Sequence, residues 1–453
     1  MISINGKFAN YMDKRLISVF LLGMSSGFPW VIIGSALSAW LKDEGFSRSE
    51  IGYLGAIFIA YSINWLWSPL VDRIKLPVLH RFLGQRRSWI LFCQSLIAVG
   101  CISFANLTLQ NQLVILAVSG LLISFASATQ DIAIDALRID FFKHDESEKI
   151  PLAASMATSG WWTGYAALGS IPLILSDASG WQWQDVYWVI GAIMLCLMLP
   201  VLWIREPNSN REQVQSALEK IYAEKLAKQG AKGSLSQLLA WLVVSVFEPF
   251  AEFFKRNGIK LALTILLFIF TFKLGEAILG RMSIVFYKEI GFSNTDIGIY
   301  SKMITWWVTV LFSLIGGWVT AKQGIVKGLV VAGIAMASSN LLFAVMAQVG
   351  PNLNLFIFAV IVDGFTAAWG TVAFVSFISL LCSHTFSASQ YALMASIGTV
   401  GRTFIGAYSG VMVDALDGNW TIFFIITTLM IIPALFLLWR IKAQVSQLET
   451  KAS

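Results

Sequence analysis

Runs of about 20 apolar residues recur along the whole of this 453-residue chain. Each is long enough to cross a hydrocarbon core of ~30 Å as a helix. In lipid every backbone N–H and C=O must be satisfied internally, so only helices and closed barrels span it. The runs are continuous rather than alternating, which selects helices. Composition agrees: 57% of the residues are hydrophobic and 13% are charged, against about a quarter charged in a soluble domain. An all-α membrane protein is the expected fold class.

Twelve spans are expected. The first six lie near 15–41, 50–71, 88–107, 112–137, 151–175 and 184–204. The second six lie near 259–286, 295–317, 325–347, 353–381, 388–413 and 420–440. Lys and Arg gather between spans 2 and 3 (Arg73, Lys75, Arg81, Arg86, Arg87) and between spans 4 and 5 (Arg138, Lys143, Lys149). The loop after span 3 has none, and the loop after span 5 carries acids such as Asp177 and Asp185. By the positive-inside rule the basic loops and both termini are cytoplasmic. The net charge of +6 therefore serves topology and is no signal for nucleic acid. The first run follows Lys7, Lys14 and Arg15, is too long for a signal core and lacks a small-residue cleavage site. It reads as the first span rather than a leader. Cys93, Cys101, Cys196 and Cys382 sit in or beside apolar runs without C-x-x-C spacing, as small hydrophobes do.

A hydrophilic stretch separates the two sets of six. Arg211 to Lys232 is charged and helix-prone, and Ser234 to Arg256 is amphipathic. The apolar run from Leu238 to Phe247 is too short to span, so an interfacial helix is expected there. The domain reading is then 1–204 and 259–441 as six-helix bundles, 205–258 as cytoplasmic linker and 442–453 as cytoplasmic tail. An internal repeat supports it. Gly45-Phe46-Ser47-Arg48-Ser49-Glu50-Ile51-Gly52 follows span 1, and Gly291-Phe292-Ser293-Asn294-Thr295-Asp296-Ile297-Gly298 follows span 7. Each contains Ser-x-x-acid, a capping-box arrangement with the acid in the first turn. Two parallel six-helix repeats are the architecture of major-facilitator transporters, where substrate binds at mid-membrane between the halves. The fold expected is thus the major-facilitator fold, 12 transmembrane helices in two six-helix halves.

The loop between spans 2 and 3 reads Ser68-Pro69-Leu70-Val71-Asp72-Arg73, then Gly84-Gln85-Arg86-Arg87. It resembles the superfamily's loop signature, Asp-Arg followed by Gly-Arg-Arg, with an insertion. An acid at a helix end beside several arginines can latch one conformation and release in another. Topology charge alone is the other reading, although Asp72 adds nothing to orientation. The second half has Gly316-Gly317-Trp318-Val319-Thr320-Ala321-Lys322 without the Asp-Arg pair, so any latch is asymmetric.

Ionisable residues inside spans are functional candidates by default. Span 4 carries Gln130, Asp131, Asp135 and Arg138; the two acids are four apart and share a face. Asp135 and Arg138 are assigned to the cytoplasmic gate with Asp72, Arg73, Arg86 and Arg87, while Gln130 and Asp131 lie deeper. Span 7 carries Lys273 and Glu276, three apart and able to pair. The pair is either structural or a proton carrier, and a buried pair is a poor route to stability. Asp363 in span 10 and Arg402 in span 11 are the other buried charges. A structural ion pair and a substrate contact are both open for Arg402, which follows the small-residue stretch Gly398-Thr399-Val400-Gly401. Glu276, Asp131 and Asp363 are the candidates for proton coupling. Among 18 tryptophans, Trp30, Trp162 and Trp369 lie nearer helix centres, and Trp30 follows Gly27-Phe28-Pro29, an expected kink. Aromatic faces suit a sugar ring or another partly apolar ligand; packing is the alternative for each.

Enzyme motifs are absent: no P-loop, nucleophile elbow, metal-ligand spacing or dinucleotide fingerprint occurs. His80, His144 and His384 are unclustered. No enzymatic activity, cofactor or metal is expected. Without a nucleotide site, transport must draw on a gradient or run downhill. Nothing in the sequence signals oligomerisation, so a monomer in the lipid bilayer is expected.

Several stretches resemble one family. They are Trp67-Ser68-Pro69-Leu70-Val71-Asp72-Arg73, Ser127-Ala128-Thr129-Gln130-Asp131-Ile132-Ala133-Ile134-Asp135-Ala136, Lys273-Leu274-Gly275-Glu276-Ala277, Phe386-Ser387-Ala388-Ser389-Gln390-Tyr391-Ala392-Leu393 and Val400-Gly401-Arg402. They resemble the AmpG-type permeases, and the span-4 motif has a related form in acetyl-coenzyme A transporters. The resemblance implies a proton-coupled importer of peptidoglycan fragments in the bacterial inner membrane. Its cargo would be N-acetylglucosaminyl-1,6-anhydro-N-acetylmuramic acid, with or without peptide, for cell-wall recycling. It points to Gln130, Asp131, Lys273, Glu276 and Arg402 as the functional set. Span 5 departs from the familiar pattern: Gly160-Trp161-Trp162-Thr163-Gly164 stands where Gly-Tyr-Arg-x-Gly is familiar. Losing that arginine bears on how an anionic cargo is held. The alternatives are a different cargo (a siderophore, another sugar conjugate or an acyl-coenzyme A) and a signalling receptor on a transporter fold.

Overall fold

The computed structural model describes residues 12–45, 55–107, 112–142, 146–176, 178–207, 211–228, 234–292, 300 and 304–451. Among the described residues nine helical segments are long and apolar enough to cross a membrane. They are Lys14–Leu41, Gln85–Ala105, Leu113–Asp140, Trp183–Trp203, Ile259–Glu289, Ile304–Gln323, Ile325–Val349, Leu353–Leu381 and Trp420–Glu449. These fall on expected spans 1, 3, 4, 6, 7, 8, 9, 10 and 12. Spans 5 and 11 are also helical, as Lys149–Trp162 with Gly169–Ser176 and Ser387–Ala407 with Ser409–Ala415. Span 2 is described from Gly55 onward, in short pieces that end in Ser68–Arg73 with a proline in its first turn.

One difference from the sequence reading has a local cause. The expected polar tail after 441 is the end of the helix Ile431–Lys451. It holds good helix formers and no glycine or proline after Pro433, so nothing stops it. Its Glu449 carboxylate accepts the N–H of Ile325 at the start of span 9, where the helix dipole favours an anion. The linker is helical too, as Arg211–Lys228, Ser234–Leu242 and Glu248–Asn257 with a π-helical turn between the last two. Glu248 anchors it. Tyr222 donates to Glu248 and Lys255 bonds to it at 3.1 Å. The hydrogen bond to Glu248 raises both the Tyr222 and the Lys255 pKa.

The described residues divide into two compact units that interleave along the chain. One comprises Met1–Phe141, Gly160–Arg256 and Cys382–Leu393; the other comprises Phe142–Ser159, Asn257–Leu381 and Met394–Ser453. In the first, the core is an apolar cluster from spans 1, 3, 4 and 6, centred on Trp40, Phe104 and Tyr187. Tyr187 donates to the Ile32 carbonyl at 3.1 Å. Ile32 lies in a π-helical stretch, Val31–Ala36, whose wider winding leaves carbonyls off the usual ladder. Pro29, which lacks an N–H, sits just ahead of it. Span 5 packs on span 1 through glycines: a Cβ at Gly27, Gly160 or Gly164 would lie under 3.0 Å from the backbone of Trp161, Phe20 or Met24. In the second unit the core is Phe286, Tyr287, Phe343, Phe356, Trp420 and Phe424.

The capping boxes of the repeat (46–52 and 293–298) lie outside the described residues. Its glycines do not: Gly45 and Gly291 both take positive φ, +86° and +107°. Each ends its helix in the left-handed conformation that glycine tolerates best. An equivalent bond accompanies each. Trp183 Nε1 donates to Asp43 at 2.8 Å, and Trp420 Nε1 donates to Glu289 at 2.8 Å. Both tryptophans open their helices, spans 6 and 12. Trp183→Phe and Trp420→Phe should each lose about 1 kcal/mol, the net worth of one hydrogen bond. Thermal unfolding in detergent checks this; equal stability of both variants and wild type would dismiss the pairing.

Candidate functional site

The first unit holds a polar centre inside its apolar core. Gln130 Nε2 donates to the Ser25 carbonyl at 2.7 Å, which fixes the amide between spans 1 and 4. One residue on, Asp131 Oδ1 accepts the Ser26 hydroxyl at 2.6 Å. Trp67 Nε1 donates to Thr129 at 3.0 Å. An aromatic group lines this centre. The Trp30 ring lies 4.5 Å from Tyr61, 4.9 Å from Phe58 and 5.9 Å from Trp161, and Trp161 stacks on Tyr165 at 5.0 Å. Trp162 meets Trp161 and Tyr165 edge-on at 5.6 and 6.0 Å. Another π-helical stretch, Thr163–Leu168, begins directly after Trp162. Trp30 and Trp162 are therefore both set at the mouth of a π stretch, where helical phase shifts and side chains are re-aimed. Four polar atoms here are buried with no hydrogen bond within 3.5 Å among the described residues: Trp30 Nε1, Gln130 Oε1, and the Tyr61 and Ser127 hydroxyls, which lie next to each other. An unmet buried polar group costs about 1–3 kcal/mol.

The second unit holds a charged centre. The span-7 helix breaks at Phe272, and Lys273 takes the N-cap position of Leu274–Glu289. Glu276 lies in the first turn, where the dipole favours a carboxylate. Lys273 Nζ sits 2.9 Å from Glu276 Oε2 and 2.7 Å from Thr371 Oγ1. The lysine is buried, whereas the Glu276 side chain is 29% exposed. That asymmetry suits an ion pair whose acid can reach a ligand or a proton. Asp363 Oδ1 is 3.0 Å from Ser339 Oγ, which also receives Thr366.

A third cluster lies in the first unit at the end of span 2. Arg86 is fully buried and donates to Asp72 at 2.6 Å, to the Val71 carbonyl at 3.1 Å, to Ser387 at 3.1 Å and to Asp140 at 3.4 Å. Asp72 also accepts the Ser389 N–H at 2.9 Å and its hydroxyl at 2.5 Å. The carboxylate thus caps the N-terminus of the Ser387–Ala407 helix, where amide N–H groups and the dipole bind anions. Ser387 donates to Asp140 at 3.0 Å, which closes the ring.

Residues 19–300 match the model of the Major Facilitator Superfamily. A Rickettsia felis protein described as transporter AmpG 4 is 33% identical over 436 residues, covering 96% of this chain and 98% of that relative. The Escherichia coli K12 anhydromuropeptide permease is 29% identical over 430 residues, covering 94% of this chain and 80% of that relative. The chain is an AmpG-type permease of the major facilitator superfamily. Solved structures agree on the fold. The proton:xylose symporter XylE superposes with a TM-score of 0.66 at 14% identity, over 95% of this chain and 96% of its own. FucP in its outward conformation gives 0.64 at 15%, over 95% and 99%. The fold of this AmpG-type chain is accordingly twelve transmembrane helices in two six-helix halves.

The structure sorts the predicted residues of this permease. Asp72 and Arg86 meet directly, but Arg87 does not join them. It donates to the carbonyls of Val201 and Leu202 and braces span 3 to span 6. Arg73 turns to the linker, bonding Gln215 at 2.8 Å, Ser245 at 3.2 Å and Glu219. Arg138 pairs with Asp135 at 2.9 Å and lies 5.0 Å over the Tyr391 ring. Arg402, expected to be buried, is exposed and donates within its own turn to Thr399. A long guanidinium can leave a helix packed through Gly401 without leaving the span. Trp369 is buried, gives its N–H to Thr320 at 3.0 Å and packs on Gly316, the arrangement of a packing residue. Cys196 is exposed, unlike the other three cysteines. Sequence reasoning missed Asp140, Ser26, Tyr61, Ser127 and Thr371. Ser, Thr and Tyr are too common in spans to stand out, and Asp140 was hidden at a span end among topology charges.

Proposed function

We propose that this permease imports peptidoglycan fragments, N-acetylglucosaminyl-1,6-anhydro-N-acetylmuramic acid with or without peptide, in symport with protons. One observation carries the reading: the near full-length match to the E. coli anhydromuropeptide permease. The Lys273–Glu276 pair, with its lysine buried and its acid partly exposed, supports the coupling, because an ion pair inside a span is a poor device for stability and is kept for function. Glu276, Asp131 and Asp363 are the carboxylates assigned to the proton. Gln130, Asp131, Lys273, Arg402, Trp30 and Trp162 are assigned to the cargo; Trp369 is now held in reserve by its packing. Asp72, Arg86, Asp140, Ser387 and Ser389 form the gate, with Arg73, Arg87, Asp135 and Arg138 as its braces. The chain works as a monomer in the bacterial inner membrane with both termini and the 205–258 linker in the cytoplasm.

The deciding experiment is uptake of labelled anhydro-disaccharide into vesicles under an imposed proton gradient, with and without a protonophore. Gradient-dependent uptake is expected, and no uptake would point to another cargo. Glu276→Gln and Asp131→Asn should bring gradient-driven uptake to background while leaving measurable binding. Full uptake by both variants would remove the coupling proposal.

A further inference from the structure

Four of the unpartnered atoms of the first unit belong to side chains that helix register and ring contacts bring together; Trp40 Nε1 and Gln94 Oε1 lie elsewhere in the same unit. Ser26 and Trp30 are four residues apart, Phe58 and Tyr61 three apart, and Ser127, Gln130 and Asp131 lie within one helical turn, so each set projects together. Ser26 reaches Asp131, the Trp30 ring meets Tyr61 at 4.5 Å, and Tyr61 lies beside Ser127 and Asp131. Trp30 N–H is a donor, Tyr61 and Ser127 hydroxyls both give and accept, and Gln130 Oε1 accepts. All four are neutral. The one charge on this face is Asp131, which repels an anion. The rings of Trp30, Phe58 and Trp161 supply flat apolar surface beside these atoms. A matching ligand has hydroxyls around its rim, an apolar face and no negative charge at that end. A neutral pyranose ring has this pattern, and a peptide carboxylate does not.

The repeat sharpens the assignment. Trp30 precedes Gly45 by as many residues as Glu276 precedes Gly291, and Gly27 likewise answers to Lys273. Both helices lose regular winding next to this point, at Phe28 and at Phe272. One register therefore carries an aromatic donor in the first unit and an ion pair in the second. We propose that Trp30, Tyr61, Ser127 and Gln130 form the sugar-recognition set of this permease, reading the uncharged ring of the cargo and not its acidic or peptide part. The proposal rests on the muropeptide reading above and divides its labour.

The test is a ligand-observed NMR titration of the full-length protein in detergent with N-acetylglucosamine and its neutral disaccharide. Wild type should bind both. Tyr61→Phe, Ser127→Ala and Trp30→Phe each remove one donor and keep most of the shape; each should weaken binding roughly tenfold, the loss of one hydrogen bond. Gly280→Ala, whose added Cβ has nothing within 4 Å, should leave neutral-sugar affinity within about twofold. Absence of binding to either neutral sugar, or three donor variants indistinguishable from wild type, overturns the proposal. So does an equal loss of affinity for free stem peptide. If neutral sugars bind through Tyr61 while vesicles import no muropeptide, the import reading fails and the sugar set stands. If vesicles import muropeptide and the donor variants change nothing, the sugar set fails alone.

Discussion

Arg86→Ala should cost about 3–5 kcal/mol of stability, because it leaves buried carboxylates without their cation. Arg86 has no exposed surface, and Asp72 and Asp140 are 1% and 4% exposed. Removing the guanidinium takes the arginine from both acids and opens the Val71 carbonyl and Ser387. A large drop in the detergent unfolding temperature is the readout. Asp72→Asn is the gentler probe. It keeps the side-chain shape and one acceptor but removes the charge that faces Arg86 and the Ser387–Ala407 helix. A hydrogen bond to a charged group is worth about 1.5–3 kcal/mol, so the bound and released forms of this corner should shift by roughly 10- to 100-fold. A cysteine at Ala388, buried with its N–H against Asp72, reports the release. Maleimide should label Ala388→Cys faster in the Asp72→Asn background. Identical labelling rates in both backgrounds would show that the corner is no latch.

Gly164→Val is expected to exceed the ~1–3 kcal/mol of ordinary overpacking. The obstacle is the Met24 carbonyl group, which is backbone and cannot swing aside. Gly160 faces Phe20 and Gly27 faces Trp161 in the same way, so spans 1 and 5 touch main chain to main chain at three successive points. Gly23, Gly27, Gly160 and Gly164 give each span a small-xxx-small pattern, the motif that lets helices close in lipid. Moving span 5 outward would carry Trp161 and Trp162 away from Trp30. The variant should therefore lose monodisperse protein in size-exclusion chromatography, and any surviving fraction should lose uptake. Gly280→Ala is the control, since nothing lies within 4 Å of its added Cβ. It should be neutral or slightly stabilising, as alanine is the better helix former. Wild-type behaviour of Gly164→Val would mean the two spans do not pack this closely.

The residues differ in how far local chemistry could place them. Hydropathy is a local property, so nine described spans fall where apolar runs predict them. The Lys273–Glu276 pair was legible because helix geometry brings positions three apart together whatever surrounds them. The motif around Ser387 and Ser389 was visible as a resemblance, but its role was not. Trp369 and Arg402 illustrate the opposite failure. An aromatic or a charge in a span announces that it matters, while the direction it faces depends on the helix packed beside it. Trp369 turned to Thr320, and Arg402 turned outward.

The sequence by itself determined an all-helical chain in the membrane, its two related halves and the short-range charge pair, because apolar length and helical period act over a few residues. Only the tertiary structure decided what Asp72 binds: its partner Ser389 is 317 residues away. The same holds for Asp131 and Ser26, 105 residues apart, and for the unpartnered face of Trp30, Tyr61, Ser127 and Gln130. A side chain's hydrogen-bond partner is set by which helices pack against each other and at what register. Neither quantity is written in the residues on either side of it.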